Sequence, residues 1–316
     1  MKRARNIAAS VRDRLLTYAR GRKEDFQLVL TRYAIERLLY RISRSAYQDQ
    51  FLLKGAMLFL VWTGQVYRPT RDLDLLGRGS NDIHRMETVF RELCAVTVEE
   101  DGISFLAETV SGQIIREDDD YEGVRIRLVA SLVEARIHLQ VDVAFGDAVK
   151  PHPEEADYPV LLPFPAPHVR IYPREAVVAE KFQIMVALGI ANSRMKDFAD
   201  VWSLARAYRF DGRILGDAIK ATFARRDTPV PTEPPLAFTD EFSSDRAKQA
   251  QWRAFLRRSR LEEMPHALRD VVLLLEKFLM EPARAVARQD DFNSAWPPGG
   301  PWQEAVRPTG KAARRS

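Results

Sequence analysis

The stretch ARIHLQVDVAF, residues 135–145, decides the fold class of this chain. Apolar and polar residues alternate along it, which is the pattern of a β-strand with one buried face and one polar face. The preceding VRIRLVASL, residues 124–132, predicts an antiparallel neighbour, and RDLDLLG, residues 71–77, predicts a shorter strand. Most of the remaining chain has helical periodicity, so the sequence predicts an α+β fold.

Helices are predicted on both sides of these strands. Apolar residues that recur every three to four positions predict helices over 6–47, 81–95, about 174–189, 193–208 and within 247–281. Asn81 or Asp82 is the expected N-cap of the second of these segments. The proline-rich segment 151–173 is predicted to be an extended connector.

Composition narrows the class of protein. The 316 residues include 48 Lys and Arg against 44 Asp and Glu, but the first 40 residues hold ten basic and four acidic side chains. This basic arm favours a polyanionic partner. Cys94 is the only cysteine, which excludes a disulfide framework and a cysteine zinc site within one chain. The sequence shows no signal peptide and no apolar run long enough to span a membrane, so a cytoplasmic protein is expected.

Asp72 and Asp74 stand two residues apart in an apolar strand, so both side chains project from the same face. Their Cα atoms lie about 7 Å apart in such a strand. Two carboxylates at that distance favour a divalent cation between them, and Mg²⁺ prefers oxygen ligands of this kind. A solvated pair of aspartates at a strand end explains the same pattern, so both interpretations stay open.

Asp142 lies on the polar face of the 135–145 strand, just before Gly146. Two carboxylates from one strand and a third from its neighbour can hold two Mg²⁺ ions about 4 Å apart, which serves in-line displacement at a phosphate. Gly55 begins a helical-looking segment, where a small residue lets backbone N–H groups approach a phosphate. An exposed aspartate and an ordinary turn are the respective alternatives.

Lys181 and Asp197 fall on the apolar faces of two consecutive predicted helices. A lysine in such a position loses hydration and needs a partner. Either the two residues form an ion pair that connects the helices, or Lys181 points into a cleft and binds a triphosphate while Asp197 orients it.

Four motifs occur in a fixed order, and together they resemble the AbiEii/AbiGii-type nucleotidyltransferase toxins. These are bacterial type IV toxin–antitoxin proteins related to the MenT toxins. The motifs are FLLKGAMLFLVWTGQVYRPTRDLDLLG (51–77), LQVDVAFGD (139–147), VVAEKFQIMV (177–186) and SRMKDFADVWSLA (193–205). The resemblance covers most of residues 6–280.

This resemblance implies a DNA polymerase β-like nucleotidyltransferase core, with a small mixed or antiparallel sheet, flanking helices and added helical regions at both ends. It implies that Asp72, Asp74 and Asp142 bind two Mg²⁺ ions and that Lys181 and Asp197 are essential catalytic residues. Nucleotide contacts are implied at Lys54, Gly55, Ala56, Arg71 and Lys181. The expected regions are basic N-terminal helices (1–50), a core with the carboxylates (51–173), a helical region that completes the cleft (174–284) and a disordered basic tail (285–316).

The expected activity is transfer of a nucleotide from an NTP to an RNA, with the 3′ end of tRNA as the favoured acceptor. The basic N-terminal helix and tail would contact RNA phosphates. An AbiEi-like antitoxin is the partner that the family implies. Alternatives are nucleotidyl transfer to a protein, a DxD glycosyltransferase, or an inactive binding module of the same fold. The last alternative draws on Ala56, which stands where the wider superfamily has glycine or serine.

Overall fold

The computed structural model describes residues 6–65, 70–116, 122–259, 261 and 263–304. The chain divides into two compact units. The first runs to Asp147 and includes Pro153–Tyr172, and the second comprises Ala148–His152 and the residues from Pro173 onward.

The first unit contains four helices and seven strands within its described residues. Its helices are α1 (Ile7–Arg22), α2 (Phe26–Ser43), α3 (Met57–Thr63) and α4 (Ile83–Cys94). Its strands are β1 (Phe51–Lys54), β2 (Asp72–Gly77), β3 (Ser104–Arg116), β4 (Glu122–Leu132), β5 (Ala135–Phe145), β6 (Glu154–Asp157) and β7 (His168–Ile171). The Asp82 side chain caps α4 by accepting a hydrogen bond from the Arg85 backbone N–H.

The described strands of this unit form one mixed sheet in the order β3-β4-β5-β2-β1-β7-β6. Strand β2 is parallel to β5 and β1 is parallel to β7, whereas the other neighbouring pairs are antiparallel. Leu132 pairs with Ala135 across the β4–β5 hairpin, so the turn contains only Val133 and Glu134. The antiparallel pair predicted over 124–145 is confirmed, and so is the α+β class with a mixed sheet flanked by helices.

One face of the sheet carries the core of the unit. Leu73 and Leu75 of β2 and Val141 and Val143 of β5 are at most 2% exposed. Helix α2 packs against β5 and β7, and α4 packs against β3 and β4. Because side chains alternate along a strand, the residues between these apolar positions project from the opposite face. Those residues include the three predicted carboxylates.

Helix α2 belongs to this unit, although the sequence predicted a separate N-terminal region over 1–50. Every residue from Val29 to Ile42 is buried. Arg41 forms a buried ion pair with Asp101 at 2.8 Å, and the Tyr33 hydroxyl donates to the Asp101 carbonyl. The basic side chains Arg32, Arg37 and Arg41 of this helix, in the segment expected to contact RNA phosphates, are buried and paired inside the unit.

The proline-rich segment 151–173 also differs from its prediction as a connector. It contributes β6 and β7 to the sheet, and β7 pairs with β1 where Leu53 lies beside Ile171. Proline is tolerated around these short strands because they lie toward one edge of the sheet.

The second unit is mainly helical within its described residues. Its helices are α5 (Arg174–Leu188), α6 (Met195–Ala207), α7 (Gly212–Arg225), α8 (Asp240–Ser244), α9 (Arg246–Ser259) and α10 (Leu268–Arg288), with 3₁₀ turns at Gly189–Ala191 and Leu236–Phe238. Three short strands form a small sheet in the order β10-β9-β8, namely β8 (Phe210–Asp211), β9 (Ser294–Trp296) and β10 (Gln303–Glu304).

The prediction of a disordered tail from residue 285 is wrong for residues 285–304. Helix α10 continues to Arg288, and Trp296 is 1% exposed, with its indole N–H donating to the Ala205 carbonyl at 2.8 Å. The ring of Phe278 contacts both Trp296 and Trp302. These aromatic contacts hold the segment against the unit. Residues 305–316 of the predicted tail lie outside the described residues.

No helix among the described residues combines the length and the apolar character needed to cross a bilayer.

Candidate active site

A row of four charged residues crosses the polar face of the first unit's sheet. Lys54 on β1 pairs with Asp74 on β2, Asp74 pairs with Asp142 on β5, and Asp142 pairs with Arg125 on β4. Residues that pair across neighbouring strands project from the same face. The order of charges is therefore positive, negative, negative, positive, and we call these four residues the charged row.

Asp72 lies on the same face as the charged row, two residues before Asp74, and pairs with Gln140 on β5. The Cα atoms of Asp74 and Asp142 are about 5 Å apart, which is the spacing of adjacent strands. The strand register therefore brings the three carboxylates predicted from sequence to one face of the sheet. Asp72, Asp74 and Asp142 are each only partly buried, so solvent and a ligand can reach them.

Arg125 holds Asp142 in a two-point contact. Its Nε donates to Oδ1 and its Nη2 donates to Oδ2, both at 2.8 Å. The amide of Gln140 lies beside the same carboxylate, 3.3 Å from Oδ2. A bidentate guanidinium fixes both the position and the plane of a carboxylate. Asp142 is therefore oriented by β4 as well as by its own strand.

Gly55 makes room for the Asp74 carboxylate. A Cβ atom built on Gly55 would lie 1.9 Å from Asp74 Oδ2, far inside van der Waals contact. Gly55 also has a φ of +69°, in the left-handed region that glycine occupies without steric penalty. Both facts require glycine at this position. The backbone between β1 and α3 thus approaches Asp74 as closely as the chain allows.

The other predicted nucleotide contacts lie next to this loop or to β2. The Lys54 ammonium is 2.6 Å from Asp147 Oδ2 and 4.5 Å from the centre of the Tyr172 ring. Ala56 is the N-cap residue of α3 and provides no side-chain hydrogen bond there. Arg71 is exposed and immediately precedes β2.

Lys181 and Asp197 form a second charged cluster, which lies in the second unit. The Lys181 ammonium is 2.5 Å from Asp197 and 3.0 Å from Asp200, and Arg194 is 2.8 Å from Asp197. Both carboxylates are 1% exposed, whereas 18% of the Lys181 side chain is exposed. Burial raises the pKa of Asp197, but Lys181 and then Arg194 outweigh burial and lower it to about 2. Asp197 is therefore ionised and orients Lys181.

The charged row and Asp72 fit a hard divalent cation in part. Asp72 and Asp74 provide the carboxylate oxygens that Mg²⁺ prefers. Each oxygen of Asp142 accepts one hydrogen bond from Arg125 and keeps a further lone pair, so Asp142 can bind a cation while Arg125 holds it in place. Within the part of the chain that the structure describes, no three His, Cys, Asp or Glu side chains are already grouped as a metal site. Asp72, Asp74 and Asp142 are the candidate ligands.

Sequence reasoning missed Arg125, Gln140 and Asp147. Arg125 and Arg127 occupy the polar positions of the 124–132 strand, so the alternation placed them on the correct face. Their partners depend on strand register: the predicted strands leave only Val133 and Glu134 between them, but no glycine or asparagine marks a tight turn there. Asp147 follows Asp142 by five positions, and its contact with Lys54 depends on the order of β5, β2 and β1 in the sheet.

Comparison with known proteins identifies the family. The profile of the nucleotidyl transferase AbiEii toxin family, from type IV toxin–antitoxin systems, matches residues 37–274. The chain belongs to the AbiEii family. The resemblance that the four motifs predicted is confirmed, and every predicted site residue lies inside the matched range. Membership makes this AbiEii protein a nucleotidyltransferase toxin by family and implies an antitoxin as its partner.

Two solved structures resemble the AbiEii chain more distantly. JHP933 from Helicobacter pylori has 15% sequence identity and a TM-score of 0.41, over 80% of this chain and 89% of JHP933. A second H. pylori protein, provisionally assigned as a nucleotidyltransferase, has 14% identity and a TM-score of 0.40, over 80% of this chain and 92% of its own. No curated protein sequence matches the chain.

Proposed function

We propose that this AbiEii protein transfers a nucleotide from an NTP to the 3′ end of an RNA, with tRNA as the acceptor. The observation that carries the proposal is the pairing of Asp74 with Asp142, which sets these carboxylates and Asp72 on one face of the sheet. The close approach of Gly55 to Asp74 supports it, because a constraint this tight indicates that the position of that carboxylate matters.

In this proposal Asp72 and Asp74 would hold Mg²⁺, and Asp142 would join them through the lone pairs that Arg125 leaves free. When bound, Mg²⁺ would neutralise the negative charge of the triphosphate and the charge that develops on the attacking oxygen. Arg125 keeps Asp142 in place and compensates its charge before substrate arrives. Fixing these carboxylates on paired strands means that little reorganisation is needed during the reaction.

The loop after β1 would contact the nucleotide. The backbone of Gly55 and Ala56 lies against Asp74, so a phosphate bound there would lie close to the metal ligands. Lys54, which immediately precedes that loop, and Arg71, which immediately precedes β2, would contribute positive charge. In the second unit Asp197 orients Lys181, and the 18% exposure of the Lys181 side chain leaves it accessible to an anionic group such as a phosphate.

The proposed reaction is an in-line displacement. The RNA 3′-hydroxyl loses its proton to solvent and its oxygen forms a bond to the α-phosphorus of the NTP, while the bond from that phosphorus to the bridging oxygen breaks and pyrophosphate leaves. Catalysis then consists mainly of positioning and electrostatic stabilisation. Because NTPs and tRNA are the substrates, we assign the reaction to the cytoplasm, where an AbiEi-like antitoxin would neutralise the toxin.

The test is incubation of the purified full-length protein with each α-³²P-labelled NTP, Mg²⁺ and total bacterial RNA. We expect at least one NTP to label RNA of tRNA size. Asp74→Ala should reduce labelling about 10³-fold, as loss of a key electrostatic contact does. Arg127→Ala is the matched control, since Arg127 is exposed on the same face and, among the described residues, its side chain donates a hydrogen bond only to Gln113.

The outcomes separate the alternatives. Unchanged melting temperatures would establish that both variants are folded. Labelling of RNA by Asp74→Ala at the wild-type rate would refute the assignment of this face as the active site. Label that is released by protease but not by ribonuclease would replace RNA with a protein acceptor.

A further inference from the structure

Helix α9 (Arg246–Ser259) concentrates positive charge in the second unit. Its sequence, RAKQAQWRAFLRRS, contains five basic residues and no acidic one, whereas the whole chain has a net charge of only +4. The basic segments singled out from the sequence were the N-terminal helix and the C-terminal tail. Helix α9 is not among them, because a local excess of positive charge indicates a binding surface only when the buried and exposed faces of the helix are known.

The inner face of α9 fixes the helix in the unit. Trp252 is 1% exposed, its indole N–H donates to the Pro265 carbonyl at 3.0 Å, and its ring stacks on Phe255. Lys248 is 7% exposed and donates to the Asn192 carbonyl at 2.9 Å. These residues lie four and three positions apart, which places them on one side of the helix. One of the five basic residues is therefore structural.

The outer face carries three arginines in a row. Arg246, Arg253 and Arg257 are all exposed and lie seven and four residues apart. At about 100° per residue they fall within about 40° of one another, opposite the inner face. The row extends over about 16 Å, at about 1.5 Å per residue. We call Arg246, Arg253 and Arg257 the arginine row.

Helix stability does not account for the arginine row. A cation near a helix C-terminus interacts favourably with the helix dipole, whereas a cation at the N-terminus interacts unfavourably. Arg257 is in the last turn of α9, but Arg246 is its first residue. No ion pair connects the arginine row to any residue that the structure describes. Its charges are therefore available to an external anion.

The surroundings of the row favour a polyanion over a protein or a lipid surface. Protein interfaces depend on apolar or aromatic anchors, and helices that lie on membranes expose such residues beside their basic face. The exposed large apolar residues of the described chain, Ile114, Val133, Val160, Ile190 and Leu273, all lie outside α9. Only Ala250 joins the arginines on the outer face, so contacts there would be almost entirely electrostatic.

We propose that the arginine row of α9 binds the phosphate backbone of the RNA acceptor. The identity of the polyanion rests on the proposed function, since an enzyme that modifies RNA must hold a long phosphate chain. Arginine suits this task because its guanidinium donates two parallel hydrogen bonds to a phosphate. Each contact displaces a condensed counterion, so binding through the row weakens as salt concentration rises.

The test measures binding without catalysis. Fluorescein-labelled bulk tRNA is titrated with the full-length protein in the absence of NTP, at salt concentrations from about 50 to about 200 mM, with anisotropy as the readout. In the triple variant Arg246→Gln/Arg253→Gln/Arg257→Gln we expect binding to weaken about tenfold or more at about 100 mM salt. The slope of log K against log salt should become shallower by about 2 to 3, for three lost phosphate contacts.

A control variant removes the same charge elsewhere on the second unit. Arg213, Lys220 and Arg269 are exposed, but each has an acidic neighbour. Arg269 is 3.3 Å from Asp240, and Arg213 and Lys220 line a depression that also contains Asp217 and Asp290. The triple variant Arg213→Gln/Lys220→Gln/Arg269→Gln should change affinity less than about twofold.

Each outcome decides the proposal. The proposal is supported if only the α9 variant has a lower affinity for tRNA and a shallower slope of log K against log salt. Equal losses in both triple variants would show general electrostatic attraction and overturn it, and so would wild-type affinity in the α9 variant. An α9 variant that keeps tRNA affinity but no longer binds the cognate antitoxin would make the row a protein interface instead. If the wild-type protein binds tRNA through the arginine row but transfers no nucleotide to it, the proposed function is contradicted and the binding surface is not.

Discussion

The charged row on the sheet and the Lys181 cluster use the same kinds of side chain in different environments. On the sheet, Asp142 retains 14% exposure and its position follows from strand register and from Arg125. In the helical unit, Asp197 is 1% exposed and its position depends on the two cations beside it. The difference teaches that carboxylates on paired strands can remain accessible for chemistry, whereas the buried helical carboxylates also stabilise the fold.

Removing a charge should therefore cost more stability in the helical cluster than on the sheet. Asp197→Asn leaves Lys181 and Arg194 with one fewer buried counter-charge, and breaking such a pair costs about 3 to 5 kcal/mol. Asp74→Asn should change the free energy of unfolding by less than about 1 kcal/mol. Urea denaturation of both variants measures the difference. Equal losses of stability would remove the distinction between the two clusters.

The close approach of Gly55 to Asp74 gives the next largest effect. In Gly55→Ala the new methyl group must displace the Asp74 carboxylate, and a shift of about 1 Å in a catalytic group costs about 10²-fold in rate. Transfer of label from the NTP is the measurement.

Gly64→Ala is the matched control for this substitution. Gly64 has a φ of +68°, almost the same as Gly55, but its added Cβ would meet nothing within 4 Å. Both variants should therefore lose similar stability from backbone strain, about 1 to 2 kcal/mol. Similar activities in the two variants would show that backbone conformation, not the Asp74 carboxylate, is what Gly55 protects.

Acid should weaken the helical cluster in a defined pH range. The pKa of Asp197 is lowered to about 2 from an ordinary value of 3.8, so the folded state binds fewer protons than the unfolded state. Its stabilisation is present above about pH 4 and is lost as the pH falls toward 2, by about 2 kcal/mol in total. The stability of the wild type should show this loss, and that of Asp197→Asn should lack it. Parallel pH profiles for the two proteins would contradict the assignment.

The smallest effect should come from the residue that orients Asp142. Arg125→Gln removes the bidentate contact, and we expect a loss of transfer activity of about tenfold, within the range for residues that orient a metal ligand. Arg127→Gln, two positions along the same strand and face, should leave activity unchanged. Activity that falls equally in both variants would mean that Arg125 acts only through general charge.

Local patterns in the sequence were sufficient for the strands and for the face of the carboxylates. Alternation in 135–145 and the spacing of Asp72 and Asp74 are properties of a few consecutive residues, and side-chain direction follows from them. The partner of Asp142 requires the strand register in addition to the alternation. Once the turn is known to be Val133 and Glu134, counting back from it places Arg125 opposite Asp142, but no glycine or asparagine marks that turn.

Long-range packing explains the remaining differences. Residues 285–304 have the proline and glycine content of a disordered tail, yet Trp296 and Trp302 pack on Phe278, which is distant in sequence. The charge excess of the N-terminal segment predicts a separate basic region that includes α2, yet Arg41 is paired with Asp101 inside the first unit. In both cases the deciding partner lies far along the chain, where periodicity carries no information.

Binding of Mn²⁺, a spectroscopic substitute for Mg²⁺, tests the central claim most directly. Electron paramagnetic resonance is recorded with the full-length protein in the absence of nucleotide, because a triphosphate binds Mn²⁺ by itself, for the wild type, Asp74→Asn and Arg127→Gln. If the polar face of β2 is the metal-dependent transfer site, the wild type and Arg127→Gln bind Mn²⁺ and Asp74→Asn does not. Mn²⁺ binding to Asp74→Asn with wild-type affinity would contradict the account.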